Sequence, residues 1–318
     1  MVAPAQGLTS VILPNRNHAR YLPIALDALL AQTWKEFEVL VIDDASSDDS
    51  YNVILEYAAR DPRIRPFQLS EHSGAYRAVE FAMPSARGEY LYLAAADDFI
   101  SPTFFEKSIY QLRNHPSAGL CFSDPAEVRE REERIISFPL YLSSYPIHYD
   151  PSLFRMLLKR NYFHISANTV LYRIDAFRAA GGIIEGLGWL GDWFVNMVVA
   201  LRYGVCYVPE VLAFLRTRGD SYSALMLRDR KLHWRPFEYW LALMSEGNYA
   251  DVALAMQEAG ILPEYRLRTL VWLLQDETGR KFLSAKIVRR TISRSAWGCL
   301  RPLAPIWLRH QLRKSLAT

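Results

Sequence analysis

Between Ser10 and Ala94, four short apolar runs alternate with three segments of helical spacing. Ser10–Leu13, Phe37–Ile42, Ile64–Leu69 and Tyr90–Ala94 read as buried strands. Tyr21–Ala31, Ser46–Arg60 and Gly74–Ala86 read as helices. Strands separated each time by a helix-length crossover predict a parallel α/β sheet, because a parallel neighbour cannot be reached by a tight hairpin. Such sheets bind ligands in the crevice at the carboxyl ends of their strands. Two acidic pairs fall at such ends, Asp43-Asp44 in VIDDASSDDS and Asp97-Asp98 in LYLAAADDFISP.

Each pair taken singly also suits a strand-to-helix turn, where Asp and Ser are common. Together they converge on one crevice, and that much negative charge calls for a cation or a donor-rich ligand. A hard divalent ion bridging carboxylate and phosphate oxygens meets the need.

Beyond Gly119 the alternation loosens. GLCFSD and SANTVLYR (Ser166–Arg173) read as strands, and VREREERI as an exposed hairpin or helix edge. GDWFVNMVVALRYG reads as a helix with Asp192 as a candidate N-cap, and VCYVPEVLAFLRTR as two short strands around Pro209. After Tyr222 the pattern is helical throughout.

With 318 residues, 51% hydrophobic and 22% charged, the chain has room for one large domain or two small ones. No apolar stretch nears the ~20 residues of a membrane span. MVAPAQGLTS has neither a basic nor an apolar signal region, so no signal peptide is expected. Cys121, Cys206 and Cys299 show neither metal-ligand spacing nor a disulfide framework, which points to a reducing cytoplasm. The net charge of +3 is uneven: from Arg280 onward there are ten Lys or Arg and no Asp or Glu. The remainder holds 27 basic and 34 acidic residues. A basic tail on an acidic body suggests an anionic partner, a membrane surface rather than nucleic acid, since no nucleic-acid motif is present. A solvated helix face explains the same charges without a partner.

Four segments, in order, resemble family 2 inverting glycosyltransferases of the GT-A fold: TSVILPNRNHARYLPIALDALLAQTWKEFEVLVIDDASSDDS, ARGEYLYLAAADDFISP, GDWF and YVPEVLAFLRTRGDSYS. The resemblance covers about Leu8 to Ser223. It implies a GT-A domain over 1–222, with a nucleotide-sugar half (1–110) and an acceptor half (111–222), followed by a helical extension over 223–318. It implies donor contacts from Pro14, Asn17, Asp43, Arg77, Asp97, Arg216 and Arg218. Asp43 is expected to accept the N3–H of uracil or thymine, favouring a UDP- or dTDP-sugar. Asp97 is expected to hold the ribose or a metal-bound water, Asp98 to ligate Mn²⁺ or Mg²⁺, and Asp192 to be the general base. The acceptor implied is a hydroxyl of a glycan or lipid-linked molecule, in cell-surface polysaccharide synthesis. Two positions depart from the family pattern: Ala95 replaces the first acidic residue of its metal strand, and Arg218 stands where its closing loop often has His.

Two other readings fit parts of the sequence. GLGWLG, Gly186–Gly191, satisfies G-x-G-x-x-G with Glu210 about 20 residues on, the spacing of a nicotinamide-dependent oxidoreductase, but it sits mid-chain without a clear strand before it. A catalytically inactive sugar-nucleotide binder would keep Asp43 without needing both Asp98 and Asp192. His164 reads as a packed or capping side chain, and Val271–Leu274 as helix core.

Overall fold

The computed structural model describes residues 4–161, 163–217 and 230–300. The first half follows the alternation: β1 (Ala5–Asn15), α1 (Leu22–Leu30), β2 (Phe37–Asp43), α2 (Ser50–Arg60), β3 (Ile64–Gln68), α3 (Ala75–Ala82) and β4 (Gly88–Leu93). Then come β5 (Phe99–Ile100), α4 (Phe104–Asn114), β6 (Leu120–Arg129), β7 (Arg134–Ser137), β8 (Ile147–Tyr149), α5 (Pro151–Arg160), β9 (Val170–Arg173) and α6 (Ile174–Ala179). The chain continues with α7 (Gly191–Tyr203), β10 (Val205–Arg216), α8 (Arg230–Ser245), α9 (Ala250–Ala259), α10 (Leu267–Gln275), α11 (Glu277–Phe282) and α12 (Ala285–Leu300).

All ten strands join one sheet. Its main path runs β3-β2-β1-β4-β9-β6-β10-β5, with β7 on β6 and β8 on β10. The first four strands are parallel, as the crossovers demand. β9 enters antiparallel between β4 and β6, and β6 and β10 are again parallel. Alternate side chains serve opposite faces. Val11, Leu13, Val39 and Val41 pack with α1, α2 and α4, whereas Ile12, Leu40 and Ile42 pack with α3, α5, α6, α7 and the C-terminal helices. α7 is apolar almost all round, as suits a helix enclosed on every side.

One buried charge ties the first strands together. Glu38 in β2 is covered by Arg65 and Arg87 at 2.7 Å each and accepts the Ser10 hydroxyl at 2.8 Å. Burial works to raise its carboxyl pKa, but these partners outweigh it and hold it below the ordinary value.

Two expectations change, and a third is narrowed to one of its two alternatives. Residues 205–216 form a single strand, not two, because shifts in register between Val208 and Ala213 let Pro209, which has no N–H to donate, step out of the ladder. In Ser166–Arg173, a 3₁₀ turn over Ala167–Thr169 precedes a shorter strand. The charged VREREERI segment is the hairpin between β6 and β7. The domain boundary expected at 222 lies outside the described residues.

Within the described part of the basic segment, several cations are already engaged. Arg290 donates to the carbonyls of Gly260 (2.8 Å) and Leu158 (3.2 Å), Lys286 to that of Lys159, and Arg280 to that of Leu274 (3.1 Å). They close the ends of helices, where free carbonyls and the helix dipole favour positive charge. No helix among the described residues is long and apolar enough to cross a membrane.

Candidate active site

The carboxyl ends of β1 and β2 carry the first cluster. Register sets Pro14 beside Ile42 and Asn15 beside Asp43. Asp43 is fully buried; its Oδ1 accepts from Asn15 Nδ2 (3.0 Å) and the Ser46 hydroxyl (2.5 Å), and its Oδ2 from the Ser46 amide (3.1 Å). Asn17 is exposed and takes the left-handed conformation that Asn tolerates (φ 54°), with Oδ1 accepting from the Ser47 amide at 2.7 Å. The two loops therefore lock together around Asp43.

Asp44 points elsewhere. Its carboxylate accepts from the amides of Ser73 (2.7 Å) and Gly74 (2.8 Å) and meets His72 Nδ1 at 2.7 Å. Burial raises its pKa, but these donors prevail and the carboxyl stays below its usual value. Asp44 thus anchors the entry to α3. That helix reaches the glycine-rich loop on the far side: the Tyr76 hydroxyl donates to the Gly188 carbonyl, and Arg77 pairs with Glu185 at 2.9 Å.

The second acidic pair follows β4. The carboxylate of Asp98 accepts from the Arg216 amide on Oδ1 (2.8 Å) and from Asn168 Nδ2 on Oδ2 (3.2 Å). Burial, then the neighbouring Asp97 charge, pushes its pKa up to about 7 despite those donors. The Arg216 side chain is only 8% exposed. Its Nε donates to the Asp97 carbonyl (3.0 Å), its other end pairs with Glu130 (2.6 Å), and it lies over the Tyr21 ring at 5.0 Å. In this state it braces the Asp97-Asp98 turn. Arg218 lies outside the described residues.

Asp192 is partly exposed on the second residue of α7, just behind the loop 185–190. It is not the N-cap: Leu190 holds that position, and Asp192 makes no capping bond. Burial alone pushes its carboxyl up to about 6. α7 is fastened to the segment that carries Asn168, because Asn196 donates to the Ile165 carbonyl (3.4 Å) and accepts the Tyr172 hydroxyl (2.5 Å). One stretch, Ile165–Tyr172, thus supports both Asp98 and the helix of Asp192.

The loop over Gly186–Gly191 follows α6 and a turn, not a strand, so it lacks the context of a dinucleotide fingerprint. Gly188, at φ 45° and ψ −126°, breaks the helical path there.

The described residues hold no cluster of three or more His, Cys, Asp or Glu suited to a metal ion. A Mg²⁺ or Mn²⁺ ion shared with a diphosphate needs only one or two carboxylates from the protein. Asp98 fits that role. Each of its oxygens is oriented by a donor, and its ionised form is disfavoured by burial and then by the Asp97 charge, a conflict a cation would relieve.

Asn168, Asn15, Glu130, Asp44 and Tyr76 were not anticipated as parts of this arrangement. Only Asp44 gave a sequence signal, its place in the first acidic pair.

A protein of Mycobacterium tuberculosis described as uncharacterized is 29% identical over 242 residues, covering 74% of this chain; the chain spans 66% of that relative's length. Among solved structures, Staphylococcus aureus TarS residues 1–349 in complex with UDP superposes with a TM-score of 0.58 at 16% identity, covering 92% of each chain. A mannosyltransferase from Pyrobaculum calidifontis in complex with GDP-Man and Mn²⁺ gives 0.59 at 16% identity, covering 100% of this chain and 86% of that one. These likenesses place the fold among GT-A glycosyltransferases. The family model described as Glycosyl transferase family 2 matches residues 10–179, more than half of the sequence, and the chain belongs to that family.

Proposed function

We propose that the chain transfers a hexose, with inversion, from a nucleotide-diphosphate sugar to a hydroxyl of a glycan or lipid-linked acceptor, with Mn²⁺ or Mg²⁺ as cofactor. The observation that carries this reading is Asp98, held by the Arg216 amide and Asn168 beside a second carboxylate in the turn between β4 and β5, with its pKa raised by burial and by Asp97. A divalent ion bound there offsets the negative charge that builds on the departing diphosphate. Asp97 positions the ribose. Asp43 Oδ2 accepts one N–H among the described residues, and its second lone pair is assigned to the N3–H of uracil or thymine, which reaches this buried carboxylate only when its covering loop gives way. Pro14 and Asn17 line the base side of the crevice. Arg77 reaches the diphosphate by leaving Glu185, while Arg216 holds the Asp97-Asp98 turn in place.

Asp192 takes the proton from the acceptor hydroxyl as that oxygen attacks the anomeric carbon. The bond from that carbon to the diphosphate breaks on the opposite face, and the configuration inverts. A base with a pKa near 6 is ionised at neutral pH and more basic than an ordinary Asp.

The test is calorimetric titration with UDP-, dTDP- and GDP-sugars, with and without Mn²⁺. Mn²⁺-dependent binding of a UDP- or dTDP-sugar is expected. Binding of none of them would overturn the reading; a preference for GDP would replace uracil or thymine by guanine, whose N–H is an analogous donor to Asp43.

The basic segment 280–318 we assign to an anionic membrane surface, which would hold the enzyme at the inner face near a lipid-linked acceptor. Exposed Val288 and Ile292 stand beside exposed Arg289 on α12, a pairing of apolar and cationic groups suited to a headgroup region. The protein should sediment with phosphatidylserine vesicles at low salt and be released by high salt. Equal partitioning of a chain ending at Glu277 would remove the segment from that role.

A further inference from the structure

Beside the Asp98 turn lies a pocket of about 340 Å³ that no step of the reaction uses. Its walls are Pro125 and Ala126 of β6, Leu215 of β10, and Phe138 and Leu140 of the strap that follows β7. Leu215 immediately precedes Arg216, whose amide holds Asp98, and Ser166 of the lining donates to Oδ1 of Asn168 at 3.2 Å. Leu140 also packs on the core that α7, the helix of Asp192, helps to build. Through Leu215 and Ser166 the pocket therefore adjoins the Asp98 turn and the Asn168 that supports it.

The strap, residues 138–146, is tied down at its start. The Phe138 amide donates to the Pro125 carbonyl at 2.9 Å, and the Leu140 amide to Asp124 Oδ1 at 2.9 Å. Asp124 is buried and also accepts the Tyr207 hydroxyl at 2.7 Å. Of the polar lining, Thr217 and Glu127 bond to each other at 2.6 Å, and His164, expected as a packed or capping side chain, is exposed. A preformed cavity with such walls offers few partners to the many hydroxyls of a sugar. It offers apolar contact to a hydrocarbon, and its volume matches on the order of ten water-sized groups.

We infer that this pocket receives the hydrocarbon portion of the acceptor, so that the acceptor is an amphiphile, a hydroxylated head on an alkyl or isoprenoid chain. This deepens the transferase reading above and rests on it. Burying one methylene tightens binding by about fourfold. Methyl, hexyl and octyl β-D-glucosides, titrated below their micellar concentrations into the protein saturated with UDP and Mn²⁺, should bind in rising order. The octyl compound should exceed the hexyl by about fifteenfold. Leu215→Asn should flatten this gradient while nucleotide affinity is kept. If Leu215→Asn fails to fold, judged by lost nucleotide binding, Phe138→Ser serves the same purpose. Equal affinity for the three glucosides, or a gradient that survives the substitution, overturns the assignment. Should UDP not bind while the gradient is present in the free protein, the donor reading fails and the pocket assignment stands.

Discussion

Asp192→Asn is expected to lower turnover by about 10²–10⁴-fold while nucleotide-sugar affinity stays within about twofold of wild type. Turnover is read as nucleoside diphosphate release from the donor that binds. The amide fills the same space on the first turn of α7 but cannot take a proton. In the wild type at saturating Mn²⁺, which holds Asp98 ionised, the rate should fall about tenfold per pH unit below about 6, where the Asp192 carboxyl becomes protonated, and be level above it. The same substitution should stabilise the fold. A carboxyl whose folded pKa is raised from 3.8 to about 6 binds protons more tightly folded than unfolded, so its cost to stability grows as pH rises between those values and is constant above them. Removing the charge should therefore recover on the order of 1–3 kcal/mol at pH 8, and almost nothing at pH 3. Lower activity with higher stability marks a working base, since at a cap the same substitution would leave both nearly unchanged, Asn capping about as well as Asp.

Asp98→Asn is expected to reduce Mn²⁺-dependent nucleotide affinity by 10-fold or more, on the order of the loss seen when metal ligands or their supports are removed. The fold should survive, because the residue closes a turn at a strand end and Asn can still accept from the Arg216 amide. Asn168→Ala should fall in the same direction by a smaller factor, since it removes only the donor to Oδ2. Binding measured without metal should barely change in either variant.

The parallel half of the fold was legible because its signal is local. VILP, FEVLVI and LYL are apolar runs of strand length between helical segments, and each became a strand where expected. The acidic pairs were legible for the same reason, being sequential and at strand ends. What escaped was long-range. Asn168 reaches Asp98 across 70 residues, Glu185 meets Arg77 across 108, and the donor from Arg216 to Asp98 is a backbone amide, to which the side-chain type gives no clue. Asp favours N-cap positions, which makes Asp192 a cap candidate from sequence alone. The helix in fact begins at Gly191, and packing around α7 set its start. Pro209 reads locally as a break between strands, yet pairing with β6 resumes beyond it, and a shift in register absorbs the residue without an N–H. In each case a tertiary contact overrode a local preference.

The division of labour between the two carboxylates is the centre of this account, and binding alone tests it without knowledge of the acceptor. UDP should be titrated by calorimetry, with saturating Mn²⁺ at pH 7.5 in every run, into wild type, Asp98→Asn and Asp192→Asn. Wild type and Asp192→Asn should bind alike, and Asp98→Asn at least tenfold more weakly. Unchanged affinity in Asp98→Asn, or an equal loss in Asp192→Asn, would contradict the assignment of metal binding to one carboxylate and proton transfer to the other.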